Sequence, residues 1–250
     1  MRKQAFLFGF IGLIIGLVIG FMTANAVSRD ELSELRRAGN NKTSSVQNPQ
    51  STQNNQANQE TLTVEEIRQA VERADANSEN LVLQKDLGVS LYQYARTQQQ
   101  TDFLPDVKRL LERAVKSNKA GDFEVLIVLG DVCSVLGQRN DDSRFLVEAR
   151  TYYERALMLK PETFEMHTEI GLTYFLAKPS EPEKAIAEYR RTLKGDPKNE
   201  RARQFLAATL IATGKVEDAR GEIELLEQTN PNNSALPDLQ VQLAQAEIQK

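Results

Sequence analysis

One cysteine, Cys133, and one histidine, His167, are all that the 250 residues contain of those two types. A single cysteine excludes an internal disulfide, and the pair offers too few soft ligands for a structural zinc site. The sequence also lacks a large excess of charge of either sign, with 31 Lys and Arg against 35 Asp and Glu and a formal net charge of -4. No broad basic field is present to hold a phosphate backbone, so nucleic acid is not expected as a partner. The motifs GxxxxGK[ST], HExxH, GxSxG and CxxCH are absent. His167 has no visible partner for proton transfer, and Cys133, within LGDVCSVLG, falls at an inward helix position where cysteine acts as a small buried hydrophobe. Asn140-Asp141-Asp142-Ser143 lacks the alternating ligands and closing Glu of a calcium loop. The expectation is a protein that is not an enzyme, carries no cofactor or metal, and rests on packing alone.

What is present begins with an apolar run. Residues Ala5 to Met22 read AFLFGFIGLIIGLVIGFM without a polar side chain, after Arg2 and Lys3. About 18 residues at roughly 1.5 Å each come close to the thickness of a bilayer core, and Thr23 to Val27 complete the span. Residues 1–27 are therefore expected to form a transmembrane anchor. The alternative is a cleaved signal peptide, since Ala24-Asn25-Ala26 fits the small-x-small rule, but the apolar run exceeds the usual signal core. Arg29, Arg36, Arg37 and Lys42 outnumber the cations before the span, so charge counting alone does not orient it. The signal-like layout of the N-terminus favours a domain outside the cytoplasm, periplasmic in a bacterium. Gly12, Gly16 and Gly20 lie on one helical stripe that would admit a second helix, a route to a homodimer; glycine is also simply common in membrane helices.

Residues 28–38 (SRDELSELRRA) have the composition of a short helical stalk. Residues 39–61 are rich in Asn, Gln, Ser and Thr with little to bury, which predicts a flexible linker reaching roughly 25 Å. Residues 62–250 are expected to form the folded domain.

That domain repeats itself. Leu129-Gly130 precedes Ala149, Tyr153, Ala156 and Pro161; Ile170-Gly171 precedes Ala185, Tyr189, Thr192 and Pro197; Leu206-Ala207 precedes Ala219, Ile223, Leu226 and Pro231. A looser copy has Leu87-Gly88, Val107, Leu111 and Ala114 without the proline. Small residues let two helices approach, a large one fills the groove between them, and proline ends the second helix. Thr63 to Ala74 reads as a lone second helix capping the start, and Leu236 to Ile248 as a closing helix that begins at Ser234 or Pro237. About seven extra residues fall within Arg96 to Pro105, and about seven more within Gln138 to Leu146, lengthening helices or forming loops.

From about Leu81 to Pro231 this pattern resembles the tetratricopeptide-repeat (TPR) family. The resemblance implies an all-α solenoid of about four helical hairpins with capping helices, whose first helices line a concave groove for a peptide or protein client. In that family the groove is lined by the second, fifth, ninth, twelfth and thirteenth residues of each repeat. The corresponding candidates here are Lys85, Val89 and Tyr92, then Ile127 and Asp131, then Leu172, Phe175 and Leu176, and finally Arg201, Gln204, Ala208 and Ile211. An apolar middle with polar edges suits an amphipathic helix or extended peptide. The competing expectation is that these apolar residues pack on a neighbour such as the closing helix. Glu165 and Glu169 would repel a C-terminal carboxylate, which argues against a chaperone-tail clamp. In layout the chain is similar to membrane-tethered TPR factors of bacterial envelope assembly, including c-type cytochrome biogenesis, which implies a client-holding role there. A cytoplasm-facing adaptor, or a secreted soluble protein if the N-terminus is cleaved, is the alternative.

Overall fold

The computed structural model describes residues 62–116 and 121–248. The expected anchor with Gly12, Gly16 and Gly20, the stalk and the linker lie outside the described residues. Among the described residues no helix is long and apolar enough to cross a membrane.

All regular structure among the described residues is helical: α1 (Val64–Ala76), α2 (Leu81–Gln98), α3 (Leu104–Lys116), α4 (Phe123–Asn140), α5 (Ser143–Leu159), α6 (Glu165–Leu176), α7 (Pro182–Gly195), α8 (Glu200–Ala212), α9 (Val216–Thr229) and α10 (Leu236–Ile248). Four hairpins, α2/α3, α4/α5, α6/α7 and α8/α9, stand between the lone helices α1 and α10, as the repeat pattern predicts.

Local chemistry starts and stops these helices. Thr63 and Glu66 form a capping box at α1, with the Thr63 Oγ1 accepting from Glu66 N at 3.2 Å and the Thr63 N–H donating to Glu66 Oε2 at 2.8 Å. Asp122 caps α4 and Asp142 caps α5, so in the turn between α4 and α5 Asp142 serves the backbone while Asp141 pairs with Lys178. Pro161, Pro197 and Pro231 each follow the C-cap of a second helix (Lys160, Asp196, Asn230), where proline prevents continuation. At α10 the start is set by Asn233, whose carboxamide oxygen accepts from Ala235 N at 2.9 Å, and not by Ser234. The additional residues of the first two repeats are absorbed mainly as helix: α2 and α4 have 18 residues each, against 12 and 13 for α6 and α8. Both long helices end on a left-handed residue, Gln99 and Asp141.

Within three hairpins a glycine of the first helix receives a large side chain of the second. A Cβ at Gly88 would lie 2.5 Å from Leu111, at Gly130 2.4 Å from Tyr153, and at Gly171 2.5 Å from Tyr189. Nothing larger than hydrogen fits, which is why small residues recur there. First helices also touch one another across repeats (α2 with α4, α6 with α8, α8 with α10), whereas second helices have no contacts of similar extent with each other. First helices therefore sit on the inner, concave side of the curve. The apolar core divides into one cluster running from α1 to α4, one from α6 to α10, and a small group between them built on Cys133, Ala149, Tyr153, Met166 and Ile170.

Candidate functional site

The middle of the concave side is occupied by a polar seam that crosses all four first helices. The Asp131 carboxylate on α4 accepts the Tyr92 hydroxyl of α2 at 2.7 Å and the Tyr153 hydroxyl of α5 at 2.8 Å. One repeat further, Glu169 of α6 is gripped by both terminal nitrogens of Arg201 on α8, the second at 3.0 Å. Arg96 lies over the Tyr92 ring, 5.7 Å from its centroid, and acts electrostatically on Asp131 and Glu169. Burial pushes the Asp131 carboxyl above the ordinary carboxylate range against the pull of the two tyrosines and the arginines. Burial does the same at Glu169, opposed chiefly by Arg201. Both tyrosine hydroxyls are driven well above their usual value by burial and then by the Asp131 charge, so they remain donors.

The sequence candidates divide into three groups on this surface. Tyr92, Asp131 and Arg201 are seam members, engaged with one another's neighbours. Leu172, Ala208 and Ile211 are buried in the C-terminal core together with Leu236, Leu239 and Leu243 of α10, so their packing is that of the competing expectation. Gln204 is likewise buried, donating to Asn233 Oδ1 at 2.7 Å, and that bond ties α8 to the start of α10. Val89, Ile127, Phe175 and Leu176 are half-buried, packed on the core but still presenting surface. Lys85 reaches Asp122 at 2.8 Å and Glu124 at 3.7 Å, bridging the N-terminal ends of α2 and α4.

Three participants escaped the sequence reading. Tyr153 was legible as a helix-crossing filler, yet its hydroxyl serves the seam. Glu169 was legible only as a repelling charge, and Arg201 neutralises it. Arg96 lies one turn beyond Tyr92, in the added length of α2, where the family's repeat positions do not extend; its spacing of four from Tyr92 is the signal that could have marked it.

Away from the seam, Cys133 is fully buried, its Sγ–H pointing to Glu148 Oε2 at 3.7 Å, and burial raises its thiol far from ionisation. Glu148 and Glu112 share Lys108, at 3.0 and 2.6 Å, and Tyr152 donates to Glu112 at 3.0 Å. His167 Nδ1 lies 2.7 Å from Glu188 Oε2, a contact joining α6 to α7. Among the described residues no group of His, Cys, Asp and Glu is arranged to hold a metal.

Residues 176–248 match the tetratricopeptide repeat family at the level of sequence. No curated protein matches the chain. Among solved structures, the crystal structure of MamA is similar with a TM-score of 0.52 at 20% identity, covering 68% of this chain and 89% of that one. TTC0263, a thermophilic TPR protein of Thermus thermophilus, gives 0.51 at 21% identity over 73% and 97%. YrrB, described as a TPR protein with an unusual peptide-binding site, gives 0.52 at 14% identity over 73% and 82%. At such identities the likeness is one of fold, and it agrees with the four hairpins described above: the folded domain is a TPR-type helical solenoid.

Proposed function

We propose that the chain is a membrane-tethered, non-enzymatic protein-interaction scaffold that holds a peptide or an unfolded protein segment against the concave face of its solenoid. The observation that carries this reading is the set of half-buried apolar residues, Val89 on α2, Ile127 and Val135 on α4, and Phe175 and Leu176 on α6, presented on successive first helices beside a polar seam. Such an alternation accepts an extended chain: apolar side chains enter the shallow pockets while polar groups meet its amides. YrrB, similar in fold, carries a peptide-binding site by its own description, which supports a peptide as the class of occupant.

The apolar segment of residues 5–22 supports confinement at a membrane, and its signal-like flanks support a domain on the outer side. On this reading the scaffold serves the assembly of envelope proteins, and c-type cytochrome biogenesis is one process served by factors of similar layout. The glycine stripe of Gly12, Gly16 and Gly20 provides for a homodimer in the membrane.

Two experiments test the two halves of this proposal. Protease added to intact cells or spheroplasts, read with an antibody to the C-terminus and with the mass of the mature chain, should digest the domain while Met1 is retained. Protection until lysis contradicts the external placement. Separately, Val89→Glu and Phe175→Glu should each abolish client capture while helical content is retained; undiminished capture by both variants removes the groove.

A further inference from the structure

The cations of the first helices are nearly all committed. Lys85 is held by Asp122 and Glu124, Arg139 by Asp102, Arg201 by Glu169, and Arg203 by Glu222. Arg96 differs. Among the described residues its guanidinium has neither an ion-pair partner nor a hydrogen-bond acceptor, and its Nε is buried. A guanidinium carries five donors, and leaving a buried donor unpaired costs free energy that an arriving acceptor would recover.

Its surroundings define that acceptor. The half-buried guanidinium lies 5.7 Å from the centroid of the Tyr92 ring, one turn along the same helix. The two nearby carboxylates are occupied, Asp131 by two tyrosine hydroxyls and Glu169 by Arg201. Arg201 compensates Glu169, and a planar monoanion pairing with Arg96 meets less repulsion from Asp131 and Glu169 than a phosphate dianion would. We propose that Arg96 is the anchoring residue for a carboxylate of the bound peptide, carried by an Asp or Glu side chain or by the chain end. The inference rests on the groove reading and names the chemistry that the groove selects. Planar, two-point pairing of guanidinium with carboxylate supplies direction as well as strength. Burial also raises the Asp131 and Glu169 carboxyls, which lessens their opposition to an incoming anion.

The test uses the full chain in detergent micelles, immobilised and panned against a random dodecapeptide phage library, with one selected peptide then titrated by fluorescence anisotropy. The selected peptides should share an Asp, a Glu or a free carboxylate at a fixed register from an apolar residue. Arg96→Gln should weaken binding roughly tenfold or more, in line with the loss of a charge-assisted pair, with Arg96→Lys intermediate. Neutralising the peptide's acid should cost about as much in the wild type and almost nothing further in Arg96→Gln, the signature of a direct pair. Helical content should be unchanged in Arg96→Gln, so that lost binding is not read as lost folding. Selected peptides without a shared carboxylate, or independent effects of the two changes, overturn the proposal. If Phe175→Glu abolishes binding while Arg96→Gln leaves it intact, the groove stands and the anchor falls. Failure to select any peptide removes both. Displacement of the selected peptide by a synthetic peptide of residues 28–38, which carries Asp30, Glu31 and Glu34, would assign the subsite to the chain itself and overturn a separate client.

Discussion

The helix crossings inside the hairpins and the seam along the concave face solve the same problem, holding neighbouring helices in register, with opposite chemistry. At the crossings, Gly130 meets Tyr153 and Gly171 meets Tyr189 with no room for a methyl group. That contact is apolar, short-range and repeated. In the seam, Tyr92, Asp131 and Tyr153 join the first repeat to the second, and Glu169 and Arg201 join the third to the fourth, through charge and hydrogen bonds made by residues that do not recur at matching repeat positions. The difference shows how a solenoid divides its labour. Repeated packing makes each hairpin, while individual polar contacts join one repeat to the next; between the second and third repeats, where a small apolar cluster separates the two larger cores, Lys178 N donates to Ser143 Oγ at 2.7 Å. Tyr153 belongs to both systems, its ring filling the crossing and its hydroxyl serving Asp131.

The largest effect should come from the crossing. Gly130→Ala places a Cβ 2.4 Å from the Tyr153 ring, which is fixed by packing and by its hydrogen bond, so a loss of about 3 kcal/mol is expected in denaturant unfolding. A loss below about 1 kcal/mol would mean that the hairpin is looser than its geometry. Next comes the seam: Asp131→Ala leaves two buried tyrosine hydroxyls without their acceptor and should cost about 2 kcal/mol. Tyr92→Phe in that background should then restore part of the loss, since it removes one stranded donor.

Acidity separates the two systems without mutation. The folded-state values of Asp131 and Glu169 lie above the ordinary ones of about 3.9 and 4.3, so between those values and the raised ones the folded chain binds more protons than the unfolded chain. These two groups therefore make stability fall as pH rises from about 4 through that window. Asp75 and Asp122, held below the usual range by Arg109 with Arg113 and by Lys85 respectively, act oppositely: the stability they add is present above their ordinary value and is lost as pH falls below about 4. Thermal melts from pH 4 to 7 should show a shallower decline in Asp131→Asn than in the wild type. An unchanged slope would remove Asp131 from the account.

The smallest effect serves as the control outside both systems. Gly221 lies in α9 with open space where its Cβ would be, so Gly221→Ala should raise stability by about 0.5 to 1 kcal/mol through helix propensity alone. A decrease at that position would show that the outer helix face has a neighbour.

The contrast also explains which features could be read from the chain. The crossings were legible because they recur: an aliphatic residue with glycine or alanine on the first helix, then a large residue on the second, announces the hairpin each time, and a proline closes three of the four. The caps were legible for local reasons, as with Thr63 and Glu66, three residues apart. The seam was not, because Asp131 to Glu169 to Arg201 is a relation between helices that appears once and has no period. Leu172 and Ile211 look like groove residues by position, yet both are buried in the core shared by α6 to α10, and that burial depends on how successive helices stack, which no spacing within a repeat specifies. The extra residues of the first two repeats were legible as present but not in form; they became helix because no proline or glycine interrupts Arg96 to Gln98 or Gln138 to Asn140, and left-handed Gln99 and Asp141 stop it.

The central claim, that a peptide or protein segment lies on the concave face, is tested most directly by photo-crosslinking in living cells. A benzoylphenylalanine at position 89 or 127, on the concave side, is compared with one at Met158, 76% exposed on the second helix α5. The account predicts a discrete adduct from the two concave positions and none from position 158, with the adduct lost on adding Phe175→Glu. An adduct formed equally well from position 158, or only from there, would contradict it.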